Sequence, residues 1–364
     1  ISFEQEWSKR FGCGPSIAMA NGTLTLDAAL TGLGIGPGDE VIVSPRSYVA
    51  SAGCVALRGA TPVFVDVDPD SGNIDPDAVL AAVGPRTRAI LPVHLAGWPA
   101  DMPRLMRVAE RHGLAVIEDC AQAHGARTAG RCVGTFGIFA SWSFCQDKIM
   151  TTGGEGGMLA TPDAALWRRC WSLKEHGKSW EQVHRDDHQP GFRWLVEDHG
   201  SNYRMTEMQA AIGRCQLRKL DAWLDARRRN AALLRDALGA IPWLRFPWPE
   251  EGIEHAAYKA YAYLVPEALP HGLSRATILD GLAAAGLPAL TGACPEIYLE
   301  SAMAPFRPAA RLPIAAALGE TSLMFPCHHT IDAETAERFA DLLAETLVKI
   351  AEQVARRGAT RISG

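Results

Sequence analysis

Short apolar runs and helix-spaced apolar stripes alternate along most of this chain. Runs at residues 17–20, 40–44, 62–66, 89–94, 114–119, 138–144 and 158–161 read as buried strands, and stripes at 3–11, 24–33, 48–58, 75–83, 101–112 and 163–173 read as helices. Asn21-Gly22-Thr23 breaks the first run, and Thr23 is placed to cap the helix that follows; Asp75 is placed to cap another. Strands alternating with helices over short connections predict an α/β fold, a mostly parallel sheet with helices on both faces. In such a sheet ligands gather beyond the carboxyl ends of the strands, where Thr23, Tyr48, His94, Asp119 and Lys148 fall.

The pattern lapses at residues 176–200, a polar stretch that carries Trp180, His184, His188, Phe192, Arg193 and Trp194. A loop of this length inside a compact domain is usually functional or disordered, and its aromatic content argues against disorder; it reads either as a flap that only packs or as an acceptor contact, with Arg193 a candidate ligand for a phosphate or carboxylate. Two helices follow, at 206–220 and then to residue 238, and the Arg227-Arg228-Arg229 triplet in the second reads as a solvated face. Beyond them a strand at 257–265 with Tyr258, Tyr261 and Tyr263, a helix at 274–285 capped by Ser274 and a closing helix at 332–357 predict a smaller α+β domain. The expected division is a large domain at 1–237 and a small one at 238–364.

Composition narrows the classes. With 364 residues the chain can bury a sizeable core, and 48% hydrophobic with 21% charged residues is ordinary for a soluble enzyme. A net charge of −5 without a long basic run argues against nucleic acid as a partner. No apolar stretch is long and uninterrupted enough to cross a bilayer, and no secretory signal opens the chain, so no membrane partner is expected. Ile1 leads straight into a helix-like segment, so the chain is expected to begin inside a longer protein. Nine scattered cysteines without a Cys-x-x-Cys pair point to free thiols in a reducing cytoplasm and to no metal site.

The candidate chemistry centres on Ser141-Trp142-Ser143-Phe144-Cys145-Gln146-Asp147-Lys148 and the glycine-rich Thr151–Gly157 after it. An amine at the end of a core strand, beside a loop that lets backbone approach a ligand, suits a carbonyl cofactor held as a Schiff base. Upstream, Leu114–Asp119 delivers an aspartate at another strand end, and Lys plus Asp is the pairing that pyridoxal phosphate requires. Each also has a plainer reading, a surface lysine in a turn and a turn aspartate. In Phe325-Pro326-Cys327-His328-His329 the spacing marks His328 as a substrate candidate rather than a metal ligand, since no carboxylate or third ligand accompanies the pair. His94 reads as a structural histidine near the site and is retained as a substrate candidate.

The runs Leu33–Val43, Gly59–Asp66, Pro92-Val93-His94-Leu95 and Glu118-Asp119-x-Ala121-Gln122 resemble the DegT/DnrJ/EryC1/StrS family over nearly the whole chain. Those are fold-type I pyridoxal-phosphate aminotransferases that act on keto-sugars and cyclitols. The resemblance implies Lys148 as the imine lysine, Asp119 as partner of the ring nitrogen and Gln122 near the ring. It implies Ser143, Gly22 and Thr23 as phosphate ligands, Tyr48 stacked on the ring, and Asn202 reaching the phosphate of a neighbouring subunit in a homodimer. The implied activity is amino transfer from glutamate or glutamine to a keto-sugar, nucleotide-linked, or to a cyclitol ketone. Relatives that become sugar dehydratases replace this lysine with histidine, so Lys148 favours transamination over the alternative of elimination, and the intact set disfavours a non-catalytic regulatory protein. Two departures stand out: the helical segment before Phe3 is short or missing, and residues 178–200 are longer and richer in tryptophan.

Overall fold

The computed structural model describes residues 1–187 and 190–362, with side chains to residue 356; His188 lies outside the described residues. Its strands are β1 (Ser16–Met19), β2 (Glu40–Val43), β3 (Thr61–Phe64), β4 (Thr87–Leu91), β5 (Ala115–Asp119), a small hairpin of β6 (Arg127–Thr128) and β7 (Arg131–Cys132), β8 (Phe139–Ser143), β9 (Gly157–Ala160), β10 (Leu244–Arg245), β11 (Ala260–Leu264) and β12 (Ser322–Phe325). Seven of them form the central sheet in the order β1-β9-β8-β5-β4-β2-β3. The β2–β3, β2–β4, β4–β5 and β5–β8 pairs are parallel, whereas β9 runs antiparallel to both neighbours, so the other six strands share one direction.

Apolar runs form this sheet because both faces are covered. Val41 and Val43 of β2 point into a core under the helices Gly22–Gly32 and Ala50–Leu57, and Ile42 points into the opposite core with Ile90, Val116 and Leu105. The helix Met102–His112 shows why such segments begin and end where they do. Asp101 accepts from the Arg104 N–H, a proline sits in the first turn, and Gly113 closes the helix with φ 64°.

The carboxyl ends of six strands therefore meet on one edge. Strand β4 stops at Leu91, earlier than the apolar run, because Pro92 has no N–H for the ladder. The segment after it stays attached: Asp119 N–H donates to the Pro92 carbonyl at 2.9 Å and His94 N–H to the Asp119 carbonyl at 3.1 Å.

Strands β10, β11 and β12 form a separate antiparallel sheet packed with the helix Ala333–Ile362. The helix Leu220–Leu238 serves both bodies: Leu220 and Leu224 pack with Trp7 and Trp142, and Ala231, Leu234 and Leu238 pack with the small sheet. A division at residue 237 thus falls at the end of a shared helix. Of the arginine triplet only Arg229 is an exposed, solvated side chain. Arg227 is 1% exposed and its Nη1 donates to the Ala257 and Tyr258 carbonyls, because the helix runs under the chain entering β11.

Candidate active site

A cavity of about 770 Å³ opens at the common strand edge, lined by residues that include Gly22, Thr23, Tyr48, Asp119, Gln122, Ser143 and Lys148. The structure thus brings together seven residues spread from position 22 to position 148 of the sequence.

One wall is the start of the helix Gly22–Gly32. Asn21, not Thr23, is its cap: the Asn21 Oδ1 accepts from Leu24 N at 3.0 Å, and the helix begins at Gly22. Asn21 stands at the extended residue before the first turn, the geometry from which a short side chain reaches the third helical N–H. Thr23 therefore lies within the first turn, with its hydroxyl free of capping duty. Its N–H and that of Gly22 have no intrahelical partner, and both residues line the cavity, which suits this helix end to an anion. Gly22 is required here, since a Cβ would lie 2.6 Å from the Ser143 Cβ. Gly22→Ala should push the helix away from β8 and spread this cradle. A loss of about 1.4 kcal/mol in binding corresponds to a tenfold higher Kd for the cofactor, measurable by fluorescence titration.

The floor is Asp119, at the end of β5 and 4% exposed. Ser51 Oγ donates to its Oδ2 at 2.8 Å, Ala121 N–H donates to Oδ1 at 3.1 Å, and Ser47 Oγ lies 2.9 Å from Ser51 Oγ. Burial pushes the Asp119 carboxyl above its ordinary range, opposed by the hydrogen bonds from Ser51 and Ala121 and by the Lys148 charge. Ser47 and Ser51 were not singled out in the sequence, where small serines in an Ala-rich helix start give no chemical signal.

The opposite wall is the turn after β8. The Lys148 Nζ lies 3.4 Å from Asp147 Oδ1 and donates to the Tyr258 hydroxyl at 3.5 Å, and that hydroxyl donates to Asp147 Oδ2. Burial acts to raise Asp147, but the Tyr258 hydrogen bond and the Lys148 charge outweigh it and hold the carboxyl below its usual value. Tyr258 enters from a segment 110 residues downstream, so no local pattern connects it with Lys148.

Tyr48 stands at the mouth, 69% exposed, just before the helix Ala50–Leu57 rather than inside it. Gln122 accepts from Ala96 N–H through Oε1 at 2.8 Å, which leaves its amide nitrogen to donate.

Four expected site residues fall outside this cavity. His94 is 0% exposed; its Nδ1 accepts from Ala100 N–H at 3.0 Å, so Nε2 carries the proton to Glu118 Oε2 at 3.2 Å. Both ring nitrogens are used in holding the strand ends, and His94 is corrected from substrate candidate to structural residue. Glu118 is committed as well, accepting from the Gly134, Phe136 and Gly137 N–H groups, each at 2.7 Å. Arg193 does not line the cavity, and upstream Trp180 packs edge-on against Trp167 and Trp171 of the helix Ala164–Lys174. His328 is absent from the cavity wall; its Nδ1 lies 2.8 Å from Thr330 Oγ1 in the turn after β12, and Asn230 holds its carbonyl. Asn202 is exposed and pairs with Glu175.

Pyridoxal phosphate fits the residues present: unpaired helical N–H groups beside a glycine-lined approach, a buried carboxylate on the floor, and an amine on the facing wall. The fold and this set of groups define a fold-type I pyridoxal-phosphate aminotransferase. The chain belongs to the DegT/DnrJ/EryC1/StrS aminotransferase family, which matches residues 1–344. It is 36% identical over 346 residues to a UDP-N-acetyl-3-dehydro-alpha-D-glucosamine 3-aminotransferase of Acidithiobacillus ferrooxidans, covering 95% of this chain and 88% of that one. It is 42% identical over 291 residues to an L-glutamine:2-deoxy-scyllo-inosose aminotransferase of Streptomyces kanamyceticus, covering 78% and 67%. The crystal structure of an aminotransferase from Psychrobacter cryohalolentis superposes with a TM-score of 0.94 at 47% identity, covering 96% of this chain and 91% of that one.

Proposed function

We propose that this aminotransferase moves an amino group from glutamate or glutamine to the ketone of a nucleotide-linked sugar or of a cyclitol, in the making of an amino sugar, a polysaccharide or an antibiotic. The observation that carries this reading is that Lys148 and Asp119 both line one open cavity of about 770 Å³, within the size range of small-molecule sites. The names of the relatives, a 3-keto sugar nucleotide aminotransferase and an inosose aminotransferase, support both acceptor types.

When bound, the cofactor supplies a carbon that exchanges amines and a ring that takes up the electrons of a breaking C–H bond. Gly22, Thr23 and Ser143 would hold its phosphate, and Tyr48 would cover the ring. The Asp119 carboxylate would keep the ring nitrogen protonated, and the Gln122 amide would donate to the ring. Lys148 would hold the cofactor covalently. Its free amine would move a proton at the substrate carbon, a role that contributes about 10²–10⁴-fold in typical enzymes.

The working unit in this reading is a homodimer with shared sites. Asn202 lies outside its own chain's cavity and stands ready for a neighbour's, and Tyr48 is left exposed at the mouth. All nine cysteines are free, in keeping with a reducing cytoplasm, and no described helix is long and apolar enough to cross a membrane. The experiment is a spectral titration of the cofactor-loaded protein. Glutamate or glutamine should bleach the visible band, and one member of a panel of keto-sugar nucleotides and cyclitol ketones should restore it. A band that no amino donor alters would overturn the proposal.

A further inference from the structure

Lys148 must serve in two conditions, tied to the cofactor and free as an amine that carries a proton. The free amine is flexible, with four rotatable bonds, and needs something to aim it. The structure supplies two acceptors from separate parts of the chain. Asp147 precedes the lysine in sequence, and its Oδ1 lies 3.4 Å from Nζ. Tyr258 comes from the segment leading into β11; its hydroxyl gives its proton to Asp147 Oδ2 and so turns a lone pair toward the amine, 3.5 Å away. The amine also lies 5.1 Å from the Tyr258 ring centroid, and the Lys259 amine lies 5.0 Å from it. A cation over a tyrosine face is attracted by the ring quadrupole.

Tyr258 is itself fixed. It is 6% exposed, and Arg227 from the helix Leu220–Leu238 donates to its carbonyl at 3.3 Å. Asp147 is half exposed and stays ionised through the same contacts. The dyad thus joins a rigid buried phenol to a charged acceptor, and both converge on one nitrogen.

We propose that Asp147 and Tyr258 are positioning residues for Lys148: they receive its amine when it leaves the cofactor, stabilise the ammonium formed when it takes a proton, and point it back at the reacting carbon. This deepens the proposed aminotransferase reading and rests on the role of Lys148, not on the identity of the acceptor. No covalent step is added. The proton taken from the substrate carbon resides on Nζ, shared toward Tyr258 Oη and Asp147, and returns from Nζ.

Two measurements test it. In the cofactor-free protein, the modification rate of Lys148 by a neutral amine-reactive reagent is read by peptide mass spectrometry, with Lys349 as internal reference. Tyr258→Phe, which keeps the ring, and Asp147→Asn should each raise that rate at least about threefold by releasing the amine from its acceptors, with Lys349 unchanged. In the loaded enzyme the same variants should lower kcat about 10- to 100-fold with KM for both substrates near wild type, the scale of a misaimed catalytic group, and Asp147→Glu should recover part of the loss. The cofactor's visible band reports that the protein is loaded and folded. Unchanged Lys148 reactivity in both variants, or a kcat within twofold of wild type, would overturn the proposal. The modification assay uses neither donor nor acceptor, so a wrong acceptor assignment leaves its outcome untouched.

Discussion

Lys148→Ala should yield a folded protein that binds pyridoxal phosphate without a covalent bond and completes no turnover. The side chain ends a turn closed by glycines, with φ of 90° at Gly153 and 126° at Gly154, and it bears no part of the core. Folding is therefore expected to survive, as a thermal melt of the variant would show. Loss of proton transfer alone should cost roughly 10²–10⁴-fold in kcat. Loss of covalent attachment comes on top, so steady-state activity should fall to background. Added methylamine should recover a small part of the proton-transfer function in a single-turnover assay, because the cavity stays open where the side chain was. Wild-type-like turnover would contradict the assignment.

Asp119→Asn should separate stability from function. In the cofactor-free protein burial raises the Asp119 carboxyl pKa, so the folded chain keeps a proton that the unfolded chain has already lost. Between the ordinary aspartate value and the raised one, the folded state binds more protons, and stability falls as pH rises through that window. Asparagine has no such dependence and preserves the shape. Its carbonyl can accept from the Ala121 N–H, and Ser51 can turn to accept from the amide. The variant without cofactor should therefore melt higher than wild type at pH 8, with the gap closing toward acid pH. Its activity should fall about 10²–10³-fold, as when a preorganised electrostatic partner is removed. A variant that melts lower at pH 8 would contradict the burial-raised carboxyl, and one that retains activity would show that the carboxylate does not face the ring nitrogen.

The parallel core was readable in the sequence because its strands are buried on both faces and stand out as continuous apolar runs. The runs containing Val41–Val43 and Ile117–Asp119 led directly to the site edge. The direction of β9 was not readable, since a four-residue apolar strand looks alike in either orientation. The helix start at Gly22 was misread by one cap, because Asn21 and Thr23 are both good capping residues and only the backbone angles choose between them. Asp119 was legible as a strand-end charge, whereas Lys148, read at a strand end, lies in the turn beyond β8, which stops at Ser143. Ser51 and Tyr258 were not legible, since each acquires its role from a partner 68 or 110 residues away. In the aromatic stretch at 176–200, edge-on packing against Trp167 and Trp171 accounts for Trp180, whereas Trp194 stays exposed.

The most direct test of the central claim is reduction of the cofactor-loaded protein with borohydride, followed by peptide mapping. The pyridoxyl mass should appear on the peptide that contains Lys148 and disappear in the Lys148→Ala protein. Finding it on Lys259, or on no lysine at all, would contradict the account.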